Sequence, residues 1–264
     1  MKIGMIGLGN MADAIIGGML QKKVVKKEEL IGSAATERTV ARMREKYGFH
    51  TTRDNREVAR EADILILAVK PQFLEEVIVQ IRDCIREETL LITIAAGKNI
   101  RWYEETFKRP IRLVRCMPNT PALVGEGCTA VCPGEKVSEE ETAYVLRLMG
   151  SFGSTCIIQE SRMDAFSAVA GSSPAFVFMF MEALADGGVA AGMTREQAVA
   201  SAAQAVLGSA KLLLETGSHP GALKDMVCSP GGTTIQGVRM LEKEGMRGAV
   251  MDAVAACVER ARQL

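Results

Sequence analysis

Ile3 to Ile6 contains no polar residue, which predicts a short strand buried on both faces of a parallel sheet. Gly7-Leu8-Gly9-Asn10-Met11-Ala12 follows at once, and Asp13 to Leu20 predicts a helix with small residues on one side. Further apolar runs cover Glu29–Ser33, Phe49–Thr52, Ala62–Val69, Leu90–Ala96, Ile111–Met117, Cys128–Cys132 and Ser154–Gln159. Helical stretches separate most of them: Thr39 to Tyr47 with Gly48 as its stop, Arg56 to Glu61, Pro71 to Ile85, and Ser138 to Gly150. Strands alternating with helices predict an α/β fold on a parallel sheet. From Ser161 the pattern changes. Asp164 to Ala191 is apolar nearly all round, so it must be buried, and one small helical domain covers it poorly. Burial between two subunits is the expected solution. Thr194 opens a helix to Leu214, Ala222 to Val227 a short one, and the turn at Cys228–Thr234 leads into a helix to Lys243. Arg247 to Arg262 closes the chain. The expected division is residues 1–160 for the sheet domain and 161–264 for an all-helical dimerisation domain.

The first turn carries the clearest chemistry. Gly7, Gly9 and Ala12 fit the G-x-G-x-x-G/A dinucleotide fingerprint, with a strand before and a helix after. Gly7 permits the tight turn, Gly9 leaves pyrophosphate room at the backbone, and Ala12 lets the helix lie close. Asn10 and Met11 complete the loop. Free N–H groups at the helix start, aided by the macrodipole, favour a phosphate. At the end of the second strand, an acid would bond the ribose 2′-OH of NAD. The run here is Ser33-Ala34-Ala35-Thr36-Glu37-Arg38, with no acid at the strand end. Ser33, Thr36 and Arg38 suit a 2′-phosphate instead, which favours NADPH, with NADH as the alternative cofactor. Asn55, after the third strand, is a further candidate cofactor residue. Arg38 has a plainer reading as an exposed first-turn residue, and Asn55 one as a helix N-cap.

Three strands end in Ala68-Val69-Lys70-Pro71, Ala95-Ala96-Gly97 and Met117-Pro118-Asn119. In a parallel sheet these ends share the ligand edge with the Gly7 loop, so they are candidate cofactor residues. In the helical part, Ser229-Pro-Gly-Gly232-Thr233-Thr234 places two glycines and hydroxyls before a helix. Exposed N–H groups there suit a small carboxylate, and an ordinary N-cap is the alternative.

Composition narrows the classes. The chain has 264 residues, 48% of them hydrophobic, enough for a sizeable core and two domains. Its formal net charge is zero, which favours neither nucleic acid nor an anionic membrane. The reading expects no apolar run of membrane-spanning length and no leader, since the first strand starts at residue 2 or 3. Seven cysteines without a C-x-x-C, and only two histidines, exclude a zinc framework and suit reduced thiols in the cytoplasm. No metal is expected.

These motifs, in this order, resemble those of the pyrroline-5-carboxylate reductases over essentially the whole chain. The resemblance rests on Ile6-Gly-Leu-Gly-Asn-Met-Ala12, Ala68-Val-Lys-Pro71, Ala95-Ala-Gly97, Arg115-Cys-Met-Pro-Asn-Thr-Pro121, Gly171-Ser-Ser-Pro-Ala175, Ala183-Leu-Ala-Asp-Gly-Gly188 and His219-Pro-Gly-Ala-Leu-Lys-Asp225. Its most specific piece is Ser229-Pro-Gly-Gly-Thr-Thr-Ile235. It implies reduction of 1-pyrroline-5-carboxylate to L-proline, the last step of proline biosynthesis, by NADPH or NADH. It also implies a Rossmann domain, a helical domain interlocked in a homodimer, and often a larger ring. In that family the amides at Gly232, Thr233 and Thr234 hold the substrate carboxylate, and the Thr234 hydroxyl faces the ring nitrogen. Ser229 joins Thr234 as a catalytic hydroxyl, Ser172 lies on the substrate side, and the proline-binding acid falls on Glu160. Met226 stands where the family often has Asn, and Ser173 replaces a glycine. A β-hydroxyacid dehydrogenase is the nearest rival, but the run Asp164–Ala191 lacks the Lys and Asn that chemistry uses. A catalytically silent NADP-binding sensor would not need the Ser229–Thr234 turn.

Overall fold

The computed structural model describes residues 1–263, which form two compact units. The first holds residues 1–171 together with residues 258–263. Its centre is a sheet of eight strands: β1 (Ile3–Ile6), β2 (Leu30–Ser33), β3 (His50–Thr52), β4 (Ile64–Leu67), β5 (Leu90–Thr93), β6 (Arg112–Met117), β7 (Gly127–Pro133) and β8 (Gly153–Ile157). They lie in the order β3-β2-β1-β4-β5-β6-β7-β8. The first six strands run parallel, and the order reverses at β1, the place where open α/β sheets bind ligands. β7 is antiparallel to β6, and β8 is parallel to β7. The segment from Pro118 to Glu126 explains the reversal, because a parallel crossover takes about a dozen residues or more.

Helices cover both faces. α1 (Asn10–Gln21), α2 (Glu37–Tyr47) and later α6 (Glu139–Met149) pack on one face through Ile15, Met19, Met43 and Leu148. α3 (Asn55–Glu61), α4 (Leu74–Ile81) and α5 (Ile100–Phe107) cover the other through Val58, Ile78 and Phe107. The boundaries follow local chemistry. Thr36 caps α2 by accepting from the Thr39 N–H at 3.3 Å, and Gly48 ends it at a φ of 70°. Ser138 and Glu141 form the capping box of α6. Asn55, read as a possible cap, is the first residue of α3 instead. Asp54 caps that helix at 2.9 Å, leaving the Asn55 side chain free for other work.

The second unit, Ser172–Cys257, is helical. The compact units therefore part eleven residues later in the chain than the expected cut after residue 160. The reason is packing: Met163, in α7 (Met163–Phe166), is buried against Ala130 and Cys132 of the sheet unit. A π-helical turn at Ser167–Ser172 leads into α8 (Ser173–Ala190). Pro174 supplies no N–H and crowds the preceding turn, which accounts for the wider turn before it. The sequence pattern alone read this stretch as a uniform helix. α9 (Arg195–Thr216), α10 (Pro220–Val227), α11 (Thr233–Lys243) and α12 (Met246–Ala261) follow.

Glu160–Ala190 forms one helical run of 31 residues with mean hydropathy 1.5 over its most apolar window. By length and composition it is sufficient to cross a membrane, which corrects the expectation that no such run exists. The charged Asp164, Glu182 and Asp186 had broken the apolar string in the sequence. Within the single chain this run is largely uncovered: Phe178 is 65% and Met179 69% exposed, and Ala185 is the buried residue of α8.

Candidate active site

The register places the C-terminal ends of five parallel strands side by side. Ile6 pairs with Ser33 on one flank and Leu67 on the other, Leu67 with Thr93, and Thr93 with Arg115. The loops after them carry nearly every residue expected to meet a dinucleotide. Gly7 has a φ of 96°, and a Cβ there would lie 2.8 Å from the Ala68 backbone. The loop is therefore pressed onto β4, with the Gly7 N–H donating to Ser33 O at 2.9 Å. Gly9 is the N-cap of α1 with no side chain closing the helix, and a Cβ built on it meets nothing within 4 Å. Open space in front of uncapped N–H groups fits a pyrophosphate. Asn10 is exposed in the first turn, Met11 is half-buried, and Ala12 is buried where α1 meets the sheet.

Ala68 and Val69 are half-buried, Lys70 is exposed, and Pro71 starts a 3₁₀ turn before α4. Ala96 and Gly97 are half-buried, with Gly97 at a φ of 80°. Behind them the Thr93 and Tyr103 hydroxyls bond at 2.5 Å, and burial pushes the Tyr103 phenol up to about 12. Met117 is half-buried at the end of β6.

Four expected ligand residues are engaged within the protein. Ser33 is fully buried and its hydroxyl donates to Asn55 Oδ1 at 2.7 Å, so it does not face a 2′-phosphate directly. Asn55 in turn donates to Gln80 Oε1 at 2.9 Å, which orients its amide at this edge. Asn119 is 8% exposed; it accepts from the Cys128 N–H at 2.7 Å and donates to Ala170 O at 2.9 Å. Its amide ties the β6–β7 connection to the helical run. Glu160, expected to meet proline, accepts from the Ile100 N–H at 2.8 Å and from buried Arg115 at 3.3 Å. That carboxylate pins the start of α5 to β6. The buried Arg115 guanidinium beside it is what claims this half-buried carboxylate, and that pairing does not show in sequence spacing.

Arg38 is exposed in the first turn of α2, with no hydrogen bond or ion pair among the described residues. The sequence reading missed Arg53, whose Nη2 donates to Ala35 O at 3.3 Å. Its one signal was its place directly after β3, the strand beside β2.

In the helical unit, Ser229 to Gly232 is a type II turn. Pro230 sits at its second position, Gly231 has a φ of 68°, and the Gly232 N–H donates to Ser229 O at 3.0 Å. A Cβ on Gly232 would lie 2.3 Å from Ser229 Oγ. Gly232 is the N-cap of α11 with no side-chain cap, and Thr233 and Thr234 are its first two residues. The alternative of an ordinary hydroxyl N-cap is thereby removed. Ser229 and Thr233 are exposed and Thr234 half-buried. Ser172 is half-buried at the N-terminal end of α8, without a capping bond. Upstream of the turn, His219 Nδ1 accepts from the Gly221 N–H at 3.1 Å and so caps α10.

Among the described residues no cluster of His, Cys, Asp or Glu fits a metal ion, and all seven cysteines are free.

Comparison with known proteins agrees with both units. A family model described as pyrroline-5-carboxylate reductase dimerisation matches residues 160–264. A second, described as NADP oxidoreductase, coenzyme F420-dependent, matches residues 2–97. The pyrroline-5-carboxylate reductase of Escherichia coli K12 is 45% identical, with 100% of this chain and 98% of the relative covered. That of Arabidopsis thaliana is 39% identical, over 100% of this chain and 95% of the relative. A solved pyrroline-5-carboxylate reductase from Coxiella burnetii superposes with a TM-score of 0.93 at 34% identity, covering 99% of this chain and 97% of that one. One from Plasmodium falciparum, solved with NADP bound, gives 0.90 at 34% identity, covering 99% and 97%. An archaeal ketol-acid reductoisomerase at 14% identity and TM-score 0.67 shares the fold alone. Identity at this level over the full length establishes kinship, and the chain belongs to the pyrroline-5-carboxylate reductase family.

Proposed function

We infer that this enzyme reduces 1-pyrroline-5-carboxylate to L-proline with NAD(P)H, and that its own residues divide the work between the two units. The observation that carries the substrate assignment is the uncapped start of α11. After the turn Ser229–Gly232, the N–H groups of Thr233 and Thr234 open the helix with no side-chain cap among the described residues. Backbone donors at a helix N-terminus, together with the macrodipole, favour a carboxylate. The Thr234 hydroxyl is assigned to the ring nitrogen, and Ser229 to the rim of the same turn. Ser172 is assigned to the substrate side on the strength of the family pattern.

The sheet edge fits a dinucleotide: Gly7 draws the loop onto β4, and the space in front of Gly9 is free of protein atoms. Gly7 through Ala12 would hold the pyrophosphate, and Ala68–Pro71, Ala96, Gly97 and Met117 would line the path of the nicotinamide half. When bound, the cofactor supplies the hydride. A protonated pyrroline is already electrophilic, so the protein mainly positions it; reacting atoms must come within about 3–3.5 Å. The Thr234 hydroxyl then bonds the nitrogen as it becomes an amine. No strong general acid is required, in keeping with a turn that offers amides and hydroxyls.

NADPH is the preferred cofactor in this reading, supported by the lack of an acid at the end of β2 and by Arg38 nearby. The homodimer assembles through the helical unit, with a larger ring as a further step, and the seven free thiols suit the cytoplasm. Steady-state kinetics with 1-pyrroline-5-carboxylate and each nicotinamide cofactor test the proposal. Absence of substrate-dependent NADPH oxidation by the purified dimer would refute it.

A further inference from the structure

We propose that Arg53, reaching across from the end of β3, determines cofactor specificity by binding the 2′-phosphate of NADPH together with Arg38. The proposal rests on the reading of this edge as the NAD(P)H site and adds a residue to it. In the sheet order β3 lies beside β2, so the residue after β3 falls next to the loop after β2. Ala34 continues the pairing, its N–H donating to Thr52 O at 3.3 Å. Arg53 follows Thr52 directly, and its Nη2 holds Ala35 O at 3.3 Å. One hydrogen bond thus positions a guanidinium over the loop that carries Thr36 and Arg38. The remaining N–H groups of Arg53 have no protein acceptor among the described residues, and a guanidinium presents a planar fork that matches phosphate.

The surrounding carboxylates do not neutralise it. Asp54 accepts from the Arg56 N–H at 2.9 Å to cap α3, and Glu57 pairs with His50 at 2.7 Å. Glu37 is exposed at the start of α2 and forms no ion pair among the described residues. Two unpaired guanidinium groups, Arg38 and Arg53, therefore stand at one loop. Ser33, the hydroxyl first expected there, points inward to Asn55. A strand end without an acid, approached by two unpaired cations from two elements, suits a dianionic phosphate better than a bare ribose hydroxyl.

The test uses the purified full-length protein and calorimetry with two probes, adenosine 2′,5′-bisphosphate and adenosine 5′-monophosphate. The wild type is expected to bind the bisphosphate more tightly. Arg53→Ala should weaken the bisphosphate roughly tenfold, as for a charge-assisted hydrogen bond, and shift the monophosphate less than about twofold. Arg53→Lys keeps the charge without the fork and should fall between. Arg38→Ala gives the parallel measurement for the other cation, and KM values for NADPH and NADH should separate in the same sense for each variant. Melting temperatures identify a variant that fails to fold, in which case Arg53→Lys carries the comparison. Equal weakening of both probes would place Arg53 on the adenine and overturn the proposal. No weakening of either, or a wild type that does not distinguish the probes, would overturn it as well. Failure of the reductase reading is seen separately, in the wild type's turnover of 1-pyrroline-5-carboxylate at saturating cofactor.

Discussion

At the residue scale, Thr234 and the two loop glycines separate binding from folding. Thr234 lies one residue past the first helical position, and the cap belongs to Gly232. Thr234→Ala therefore removes a hydroxyl without removing a cap, and its melting temperature should stay near the wild type's. Its kcat/KM should fall roughly ten- to a hundredfold, since bonds to charged groups are worth about 1.5–3 kcal/mol. Thr234→Ser should recover much of that, and Thr233→Ala should do less. Wild-type kcat/KM in Thr234→Ala would remove the hydroxyl from the reaction. The glycines give a paired contrast. Gly7→Ala forces a positive φ on a residue with a Cβ and drives it into Ala68, so stability should drop by at least about 1–3 kcal/mol. At Gly9 the new methyl meets no protein atom, so Gly9→Ala should melt like the wild type while KM for NADPH rises roughly tenfold or more. Denaturation curves and cofactor titrations on the two variants check both halves.

At the element scale, the fingerprint helix is anchored to its neighbour by a carboxylate. Asp13 of α1 accepts from Lys46 at 2.8 Å and from Tyr47 at 2.5 Å, both in α2, with Arg42 at 3.5 Å. Burial pushes the Asp13 carboxyl up, but the Lys46 and Tyr47 hydrogen bonds and the nearby cations outweigh it and hold it below the ordinary value. The Tyr47 phenol is raised, by burial first and then by Asp13. A carboxyl depressed in the folded state contributes stability above its unfolded pKa and loses it as pH falls through the folded one. The wild type should accordingly lose stability more steeply below about pH 4 than Asp13→Asn does. Urea denaturation at several acidic pH values measures this, and parallel curves for the two proteins would exclude Asp13 as the acid-sensitive tie. This contact lies beside the phosphate loop, so it bears on how firmly the start of α1 is held.

At the scale of the whole molecule, the apolar helical run from Glu160 to Ala190 dominates. Most of its side chains remain exposed or half-buried within one chain, and α9 adds Leu207 and Leu214 to the uncovered surface. Exposed apolar area of this extent marks an interface, and a family of dimerising proteins matches these residues. The enzyme should stay dimeric on dilution to micromolar concentration, with unfolding midpoints that depend on protein concentration. Light scattering that finds a folded, active monomer would contradict this. The same exposure explains why the run meets the length and apolarity of a membrane span: a helix buried by a second subunit needs apolar residues all round, as one in lipid does.

Much of this protein was readable before any coordinates. Local rules govern a strand of four apolar residues, a glycine turn, a capping box and a Pro-Gly turn, and each acts within a few residues of chain. That is why the strands, the phosphate loop, the capped α6 and the Ser229–Thr234 turn all stand where the pattern placed them. Other features depend on neighbours distant in sequence. The reversal of β7 follows from a short connection between strands that had to pair. The burial of Asn119 between Cys128 and Ala170, the pairing of Glu160 with Arg115 and the inward turn of Ser33 toward Asn55 join residues separated by nine to fifty-one positions. A polar side chain bonds whichever partner the packed chain brings within reach, and only folding chooses that partner. Arg53 is the same lesson in reverse: an unremarkable arginine in the chain becomes a candidate phosphate ligand because β3 lies beside β2.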